Sequence, residues 1–170
     1  QLWVNLPATK KMVPPTYRDI SLTDIPVVAD KATVRILSGC YQGIRGALNG
    51  SHARVTYLDI TLPAGILWSY EEAHNNETLF IYLLEGSLIP DPEQRSIEDK
   101  GCAILYSVSA PGERTHEPVV VKAGAEGARF LLLAASPLRE PVAWGGPIVM
   151  NTHEELRESF EELRNGTFIK

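Results

Sequence analysis

Residues 54–65 read Arg-Val-Thr-Tyr-Leu-Asp-Ile-Thr-Leu-Pro-Ala-Gly, and the alternation of apolar and polar residues in this stretch is typical of a half-buried β-strand. Leu58, Ile60 and Leu62 fall on one face, and the residues between them fall on the other. The Pro-Ala-Gly sequence at 63–65 predicts a turn that ends the strand. The core face of a sheet is therefore expected here.

Further strands are predicted on both sides of this stretch. Residues 78–84 are almost continuously apolar, which predicts a strand buried on both faces that stops at Glu85-Gly86. The other strands are expected at 33–37, 86–89, 102–108, 119–122 and 129–135. Short strands separated by Gly, Pro, Asn or Asp turns, with no helical pattern between them, predict an all-β sandwich or barrel.

The two ends of the chain differ from this middle part. Residues 1–30 contain four prolines, which predict an extended, turn-rich segment rather than a helix. Residues 152–155, Thr-His-Glu-Glu, are typical of a capping box at a helix start. Leu156, Phe160 and Leu163 then form one apolar stripe, so a C-terminal α-helix is predicted over 153–164.

Composition excludes several classes of protein. The 170 residues are 44% hydrophobic and 22% charged, as expected for one folded domain. A net charge of −5 disfavours direct binding to nucleic acid, and no apolar run is long enough to span a membrane. Two cysteines, Cys40 and Cys102, are expected to be free thiols in a reducing compartment.

Several runs of sequence resemble the second half of the pirin family. They include Gln1-Leu-Trp-Val-Asn-Leu-Pro7, Phe80-Ile-Tyr-Leu-Leu-Glu-Gly86, Pro137-Leu-Arg-Glu-Pro-Val142 and Gly146-Pro-Ile-Val-Met-Asn-Thr152. The likeness covers most of the chain in the right order. The strand-like start without Met also suggests a piece of a longer protein.

Pirins are bicupins, so the resemblance implies a cupin (jelly-roll) antiparallel β-barrel with a C-terminal α-helix. It implies a crossover segment between two lobes at 1–30, the barrel at 31–150, and the helix and tail at 151–170. The family is associated with iron-dependent dioxygenase activity on flavonols such as quercetin and with co-regulation of transcription. Its metal ligands lie in the amino-terminal cupin, so the resemblance implies no metal ligands and no cofactor in this chain, and Fe(II) in the other lobe.

The cupin metal pattern itself fits this chain poorly. Aligning the final glycine of the first cupin motif on Gly86 puts Glu72, His74 and Leu79 at the ligand positions. Aligning its first glycine on Gly65 instead gives Glu71, Ala73 and Glu77. The second motif keeps Pro111 and His116, but Leu105, Glu113 and Val120 replace its two glycines and its asparagine.

Two interpretations of these residues stay open. Glu72, His74 and His116 could form a remodelled site, because two histidines and one carboxylate form a ligand set for non-haem Fe(II). Alternatively, they are ordinary polar residues of two loops, which is the interpretation we favour.

The aromatic residues Trp3, Trp68, Tyr70, Tyr82 and Trp144 could line a pocket, although packing in a core or an interface is the commoner role. No serine or cysteine has the flanking residues of a nucleophile elbow or a catalytic thiol.

The sequence thus predicts a metal-free cupin lobe that acts as the structural and interaction half of a pirin-like protein. The expected partners are the amino-terminal cupin lobe, other proteins or a second copy, with neither nucleic acid nor a membrane. An enzymatic alternative is a quercetin 2,3-dioxygenase-like iron-dependent oxygenase, through the whole parent protein more than through this chain. The absence of a secretion signal and the resemblance predict a cytoplasmic or nuclear location.

Overall fold

The computed structural model describes residues 2–48, 50, 52–71, 78–93, 96–106 and 118–169. These residues form antiparallel β-strands and one α-helix near the end of the chain, which confirms the predicted fold class. The strands within the described ranges are β1 (Val27–Ala29), β2 (Thr33–Ser38), β3 (Cys40–Tyr41), β4 (Ile44–Arg45), β5 (Val55–Leu62), β6 (Leu67–Tyr70), β7 (Thr78–Ile89), β8 (Glu98–Asp99), β9 (Ala103–Tyr106), β10 (Val119–Ala135), β11 (Ala143–Gly145) and β12 (Ile148–Met150).

The ends of the chain follow the sequence pattern. Residues 2–30 contain two single-turn 3-10 helices, Ala8–Lys10 and Leu22–Asp24, and strand β1, joined by irregular segments. Helix α1 (His153–Asn165) has the predicted capping box between Thr152 and Glu155 and ends at Gly166 in the left-handed conformation. Among the described residues, no helix is both long enough and apolar enough to cross a bilayer.

Eight strands form the main sheet, in the order β1-β2-β5-β10-β7-β8, with β6 paired to β10 and β9 paired to β7. The 17-residue β10 changes neighbours along its length: its first residues pair with β6, and its second half lies between β5 and β7. A long strand shared in this way lets the sheet curl around one core, as in jelly-roll folds.

The core lies on one face of this sheet. The alternation predicted for β5 is confirmed, since Leu58, Ile60 and Leu62 are at most 1% exposed. They pack with buried side chains of β2, β6, β7 and β10, and the largest fully buried members of the set are Tyr70, Phe130, Ile36, Leu58, Ile60, Leu62, Ile81, Leu83, Leu88, Leu132, Val34 and Val121.

The prediction that residues 78–84 are buried on both faces was wrong. Leu79, Ile81 and Leu83 are buried, whereas Tyr82 on the opposite face is 39% exposed. The outer face is apolar for another reason: Phe80 lies opposite Leu133 of β10 and Leu105 of β9. Leu133 is 5% exposed, so the outer face is covered at this pair and open at Tyr82.

Two predicted strand boundaries were also wrong. Strand β7 continues through Gly86, so residues 78–84 and 86–89 belong to one strand. Strand β10 likewise joins the predicted strands at 119–122 and 129–135. The β10–β7 register shifts between Ala123 and Ala128, and glycines with positive φ occur at Gly86 and Gly127. The glycines therefore mark β-bulges rather than turns.

The chain divides into two compact units. One contains Ile20–Gly50 and Arg54–Pro137, and therefore the whole main sheet. The other contains Gln1–Asp19, Ser51–Ala53 and Leu138–Lys170, including the β11–β12 hairpin and α1.

Within the smaller unit, the hairpin lies on the predicted apolar stripe of α1. A Cβ atom at Gly145 would be 3.2 Å from atoms of both Leu156 and Phe160. Leu163, the third residue of the stripe, is 50% exposed. Leu156 and Phe160, the first two residues of the stripe, therefore pack against the hairpin.

Candidate functional site

The three residues of the hypothetical metal site, Glu72, His74 and His116, lie outside the described residues. The same holds for Ala73 and Glu77 of the alternative alignment. Their arrangement therefore stays a prediction. Two other positions of the metal pattern, Glu71 and Leu79, are described and can be tested against it.

These two positions belong to different alignments, and of the two side chains only Glu71 has an atom that can bind a metal ion. Leu79, at the position where the first motif has its carboxylate ligand, is 3% exposed and belongs to the hydrophobic core. Glu71, at the end of β6, is exposed to solvent. Throughout the described ranges, no three His, Cys, Asp or Glu side chains lie close enough together to hold a metal ion. The regular cupin ligand set is therefore incomplete at position 79, and a site of Glu72, His74 and His116 stays a prediction.

The predicted aromatic set divides into buried and exposed members. Trp68 and Tyr70 are 6% and 1% exposed, and both belong to the core. Trp3 and Trp144, in the smaller unit, are 52% and 70% exposed, and Tyr82 lies on the outer face of β7. These five residues therefore do not line one pocket.

A different aromatic cluster surrounds Trp68. Its ring stacks with Tyr41 and with Tyr70, in each case with a centroid distance of 6.2 Å, and meets the edge of Phe130 at 5.8 Å. The indole Nε1 donates a hydrogen bond of 3.1 Å to the hydroxyl oxygen of Tyr41. The same oxygen accepts a bond of 3.4 Å from the Gln42 side-chain amide. The indole and phenol rings are consequently held in fixed positions.

A cavity of about 190 Å³ adjoins this cluster. It lies entirely within the larger unit, between the β1–β2 hairpin, β3 and β6. Its lining includes Tyr41 and Trp68, the apolar Ala32 and Val34, and the charged Asp30 and Lys31, and its accessible surface is mostly polar. Among the described residues, this cavity brings aromatic, apolar and charged side chains together.

Sequence reasoning missed Tyr41. Its position between Gly39 and Gly46 suggested only a turn, and β3 is two residues long. One signal was available, because Tyr41 is the single aromatic residue in a segment that is otherwise small, polar or aliphatic. Tyr41 is 7% exposed and contacts Trp68, which is 27 positions away, so its burial could not be inferred from local sequence.

Charged groups elsewhere in the larger unit form an ion-pair network. Arg129 of β10 binds Asp59 of β5 and Glu85 of β7. The hydrogen bonds and charge of Asp59, followed by those of Glu85, raise the pKa of Arg129 above its ordinary value. The guanidinium of Arg129 stays protonated, and its two ion pairs link strands β5, β7 and β10.

In the smaller unit, Lys11 holds the chain ends together. Its Nζ donates to the side chain of Asn5 at 2.5 Å and to the carbonyl of Val149 at 3.0 Å. Burial lowers the pKa of Lys11, and the nearby Glu140 and Glu155 act in the opposite direction. Both carboxylates already accept backbone hydrogen bonds, so the cluster is structural.

The family assignment follows from sequence comparison. The model of the Pirin C-terminal cupin domain matches residues 57–169, about two thirds of the chain. The chain belongs to the pirin C-terminal cupin domain family. The matched range begins in β5 and ends beyond α1, so it includes both the central strands of the sheet and the terminal helix.

The related proteins and the similar solved structure are longer than this chain. A pirin-like protein of Caulobacter vibrioides is 34% identical over 99% of this chain and 58% of its own length. Pirin of Mus musculus is 35% identical over 97% of this chain and 55% of its own length. A crystal structure of quercetin 2,3-dioxygenase from Acinetobacter baumannii superimposes with a TM-score of 0.80, at 30% identity, over 98% of this chain and 55% of that chain. The chain thus spans little more than half the length of these proteins.

Proposed function

We propose that this pirin C-terminal cupin domain is a metal-free structural and interaction lobe, which supports an iron-binding amino-terminal cupin lobe. The observation that carries the proposal is the core position of Leu79. The regular cupin motif has its carboxylate ligand there, and the chain has a buried leucine among Ile81, Leu83 and other apolar side chains. The core face is adapted to stability rather than to metal chemistry.

The lengths of the relatives support a two-lobe arrangement. The pirin-like protein of Caulobacter vibrioides and Pirin of Mus musculus match this chain over 58% and 55% of their length. The remaining part of such proteins is the expected location of the second cupin lobe, which the family resemblance links to Fe(II).

The outer surface of the sheet offers an interaction face. Leu105 of β9 is 66% exposed, and Tyr82 of β7, 39% exposed, lies on the same face as the Phe80–Leu105 pair. Large apolar side chains exposed together are typical of surfaces that bind another protein. The net charge of −5 is compatible with protein partners and unfavourable for DNA, so co-regulation of transcription would act through protein contacts in the cytoplasm or nucleus.

A second function has support of its own. The TM-score of 0.80 against quercetin 2,3-dioxygenase from Acinetobacter baumannii favours a quercetin 2,3-dioxygenase-like oxygenase activity of the whole parent protein. Fe(II) bound to the other lobe would supply the oxygen chemistry. This chain would contribute its fold and its surface to that enzyme.

Oxygen uptake with quercetin and added Fe(II) separates the two functions. The isolated chain is expected to match a blank of Fe(II) and quercetin, whereas a two-lobe relative exceeds it. Uptake by the chain above the blank, lost in His74→Ala, would support the enzymatic function of this lobe and contradict the proposal.

Binding between the lobes tests the interaction role. The chain is mixed with a separately purified amino-terminal lobe, and their association is followed by sedimentation. We expect a complex, weakened by Leu105→Glu on the outer face and unchanged by Ile44→Glu, a control in β4 at a residue that is 44% exposed. A chain that never binds the other lobe would overturn the interaction role while leaving the metal question open.

A further inference from the structure

Strand β6 lies at an edge of the main sheet, because β10 is its one neighbouring strand among the described residues. The carbonyl of Ile66, directly before β6, accepts a 3.0 Å hydrogen bond from the backbone of Ala123 in β10. Antiparallel ladders alternate between hydrogen-bonded and non-hydrogen-bonded pairs. The backbone N–H and C=O groups of Leu67 and Ser69 therefore point away from β10. Outside the ladders, no backbone hydrogen bond within the described ranges reaches these two residues.

The edge of β6 lacks the features that usually protect an edge strand. Native edges are commonly shielded by charged residues, by prolines, by bulges or by short length. The sequence of β6, Leu-Trp-Ser-Tyr, contains no charge and no proline, and Leu67 is 52% exposed. Elsewhere in the sheet, β8 is Glu98–Asp99, and the three-residue β1 lies between Pro26 and Asp30. The edge of β6 therefore suits pairing with a further strand.

This edge is complementary to a second copy of itself. When two β6 strands lie antiparallel about a two-fold axis at Trp68, Leu67 of each copy lies opposite the partner's Ser69. Because the backbone groups of both residues point outward, each such pair exchanges two N–H···O=C hydrogen bonds. The same residues are used on both sides, as in an isologous interface. Trp68 and Tyr70 remain in the core of their own copy.

Two opposite charges lie beside the edge of β6. Asp30 and Lys31, at the tip of the β1–β2 hairpin, line the same half-open cavity as Leu67 and Ser69, and its accessible surface is mostly polar. Both charged residues are exposed, and neither forms an ion pair within the described ranges. An Asp-Lys dipeptide is its own complement across a two-fold axis, because each charge faces the opposite charge of the other copy. The charges therefore favour a second copy as the partner.

From these features we infer that two copies of this chain associate through the edge of β6, in a sheet that continues across a two-fold axis, with reciprocal pairing of Asp30 and Lys31. This inference goes beyond the proposed function, because it uses an edge of the sheet, whereas the proposed contact with the amino-terminal lobe uses the outer face at Leu105.

Sedimentation equilibrium of the full chain tests the association. An interface limited to one edge strand and two ion pairs predicts a weak dimer, with a Kd of about 10–100 µM. Ser69→Pro removes an outward N–H that the β6–β10 ladder does not use, so it should raise the Kd at least about fivefold. A chain that stays monomeric up to about 0.5 mM would overturn the inference.

The matched control for Ser69→Pro is Val27→Pro in β1. The carbonyl of Pro26 accepts a hydrogen bond from the backbone of Ile36 in β2, so by the same alternation the N–H of Val27 points away from β2. Val27→Pro should leave the Kd unchanged. Thermal unfolding verifies that both variants are folded. An equal effect of the two prolines would contradict association through β6.

Charge exchange is a second test, and it leaves β6 unaltered. Lys31→Asp makes both tips acidic, and the dimer should weaken about fivefold at low ionic strength. The double variant Asp30→Lys with Lys31→Asp has opposite charges again and should recover the Kd of the original chain. A double variant that stays as weak as Lys31→Asp would contradict the reciprocal pairing.

Amide hydrogen exchange identifies the occupant of the edge. The amides of Leu67 and Ser69 should exchange more slowly as the concentration of the chain rises, while that of Val27 should not change. Protection of Leu67 and Ser69 that occurs only after the amino-terminal lobe is added would assign the edge to that lobe. It would overturn this inference and leave the proposed interaction role intact.

Discussion

The guanidinium of Arg129 contacts the carboxylate of Asp59 through two parallel hydrogen bonds, Nε to Oδ1 at 3.0 Å and Nη2 to Oδ2 at 2.8 Å. The residues are diagonal neighbours on β10 and β5, since Arg129 is opposite Thr61 and Asp59 is opposite Leu131. The Asp59 side chain is 12% exposed, whereas that of Arg129 is 39% exposed. A bidentate pair of this kind fixes the register between the two central strands.

Replacement of Arg129 by methionine should therefore lower the free energy of unfolding by about 2 kcal/mol, because a nearly buried carboxylate loses its partner. Urea unfolding measures the change. The matched control is Glu85→Gln, which removes the more exposed carboxylate, 3.3 Å from Arg129, and should cost less than about 0.5 kcal/mol. Equal costs for the two variants would contradict the role assigned to Asp59.

Gly86 and Gly65 have nearly the same backbone conformation, with φ of 72° and 69°, but different surroundings. A Cβ atom at Gly86 would lie 2.1 Å from the carbonyl oxygen of Gly127, whereas nothing lies within 4 Å of one at Gly65. Gly65→Ala should lower the free energy of unfolding by about 1 kcal/mol, because the backbone there is strained for alanine and no neighbouring atom is displaced. Gly86→Ala should cost at least about 3 kcal/mol, because β7 and β10 must separate. Similar melting temperatures for the two variants would rule out the close approach of the strands.

Gly86 also illustrates what local sequence can and cannot predict. The alternation in residues 54–62 and the capping box at Thr152 are local patterns, and both were confirmed. A glycine with positive φ serves equally in a turn and in a bulge. The pairing of Gly86 with Ala128 is a long-range contact, so the strand boundary predicted there was wrong.

The candidate site was less predictable for the same reason. Burial of Trp68 and Tyr70 agrees with the preference of aromatic residues for a core. Their neighbour Tyr41 reaches them across 27 positions of sequence through the Trp68 hydrogen bond. Spacing along the chain does not reveal a contact of that range.

Thr152 caps α1 through its hydroxyl, which accepts a 3.1 Å hydrogen bond from the backbone of Glu155, while the Glu155 carboxylate accepts one of 2.9 Å from the backbone of Thr152. Thr152→Ala should lower stability by about 1 kcal/mol, and Thr152→Ser should retain it. Hydrogen exchange of the first turn of α1 measures the local change. Faster exchange in both variants to the same extent would show that the threonine hydroxyl is not the cap.

Tyr106 should make stability sensitive to alkaline pH. Burial, with a smaller contribution from Asp91, raises the pKa of Tyr106 well above its ordinary value. The unfolded chain releases this proton near pH 10, about the ordinary tyrosine value, and the folded chain retains it. The contribution of Tyr106 to the free energy of unfolding is therefore fully present below about pH 10. It is lost as the pH rises through the pKa that Tyr106 has in the folded chain.

The free energy of unfolding should accordingly decrease above about pH 10, and the decrease should be smaller in Tyr106→Phe. Urea unfolding at pH values on both sides of this point measures it. Tyr17→Phe, at a residue that is 89% exposed, is the matched control and should retain the wild-type pH dependence. An identical decrease in Tyr106→Phe and wild type would contradict the prediction.

The metal content of the purified chain tests the central claim most directly. The chain is loaded with Fe(II), desalted and measured by elemental analysis, with a two-lobe pirin relative treated in parallel. The proposal of a metal-free lobe predicts that the chain retains far less than one iron per molecule, while the relative retains its iron. About one iron per chain, lost in His74→Ala, would establish a metal site in this lobe and contradict the claim.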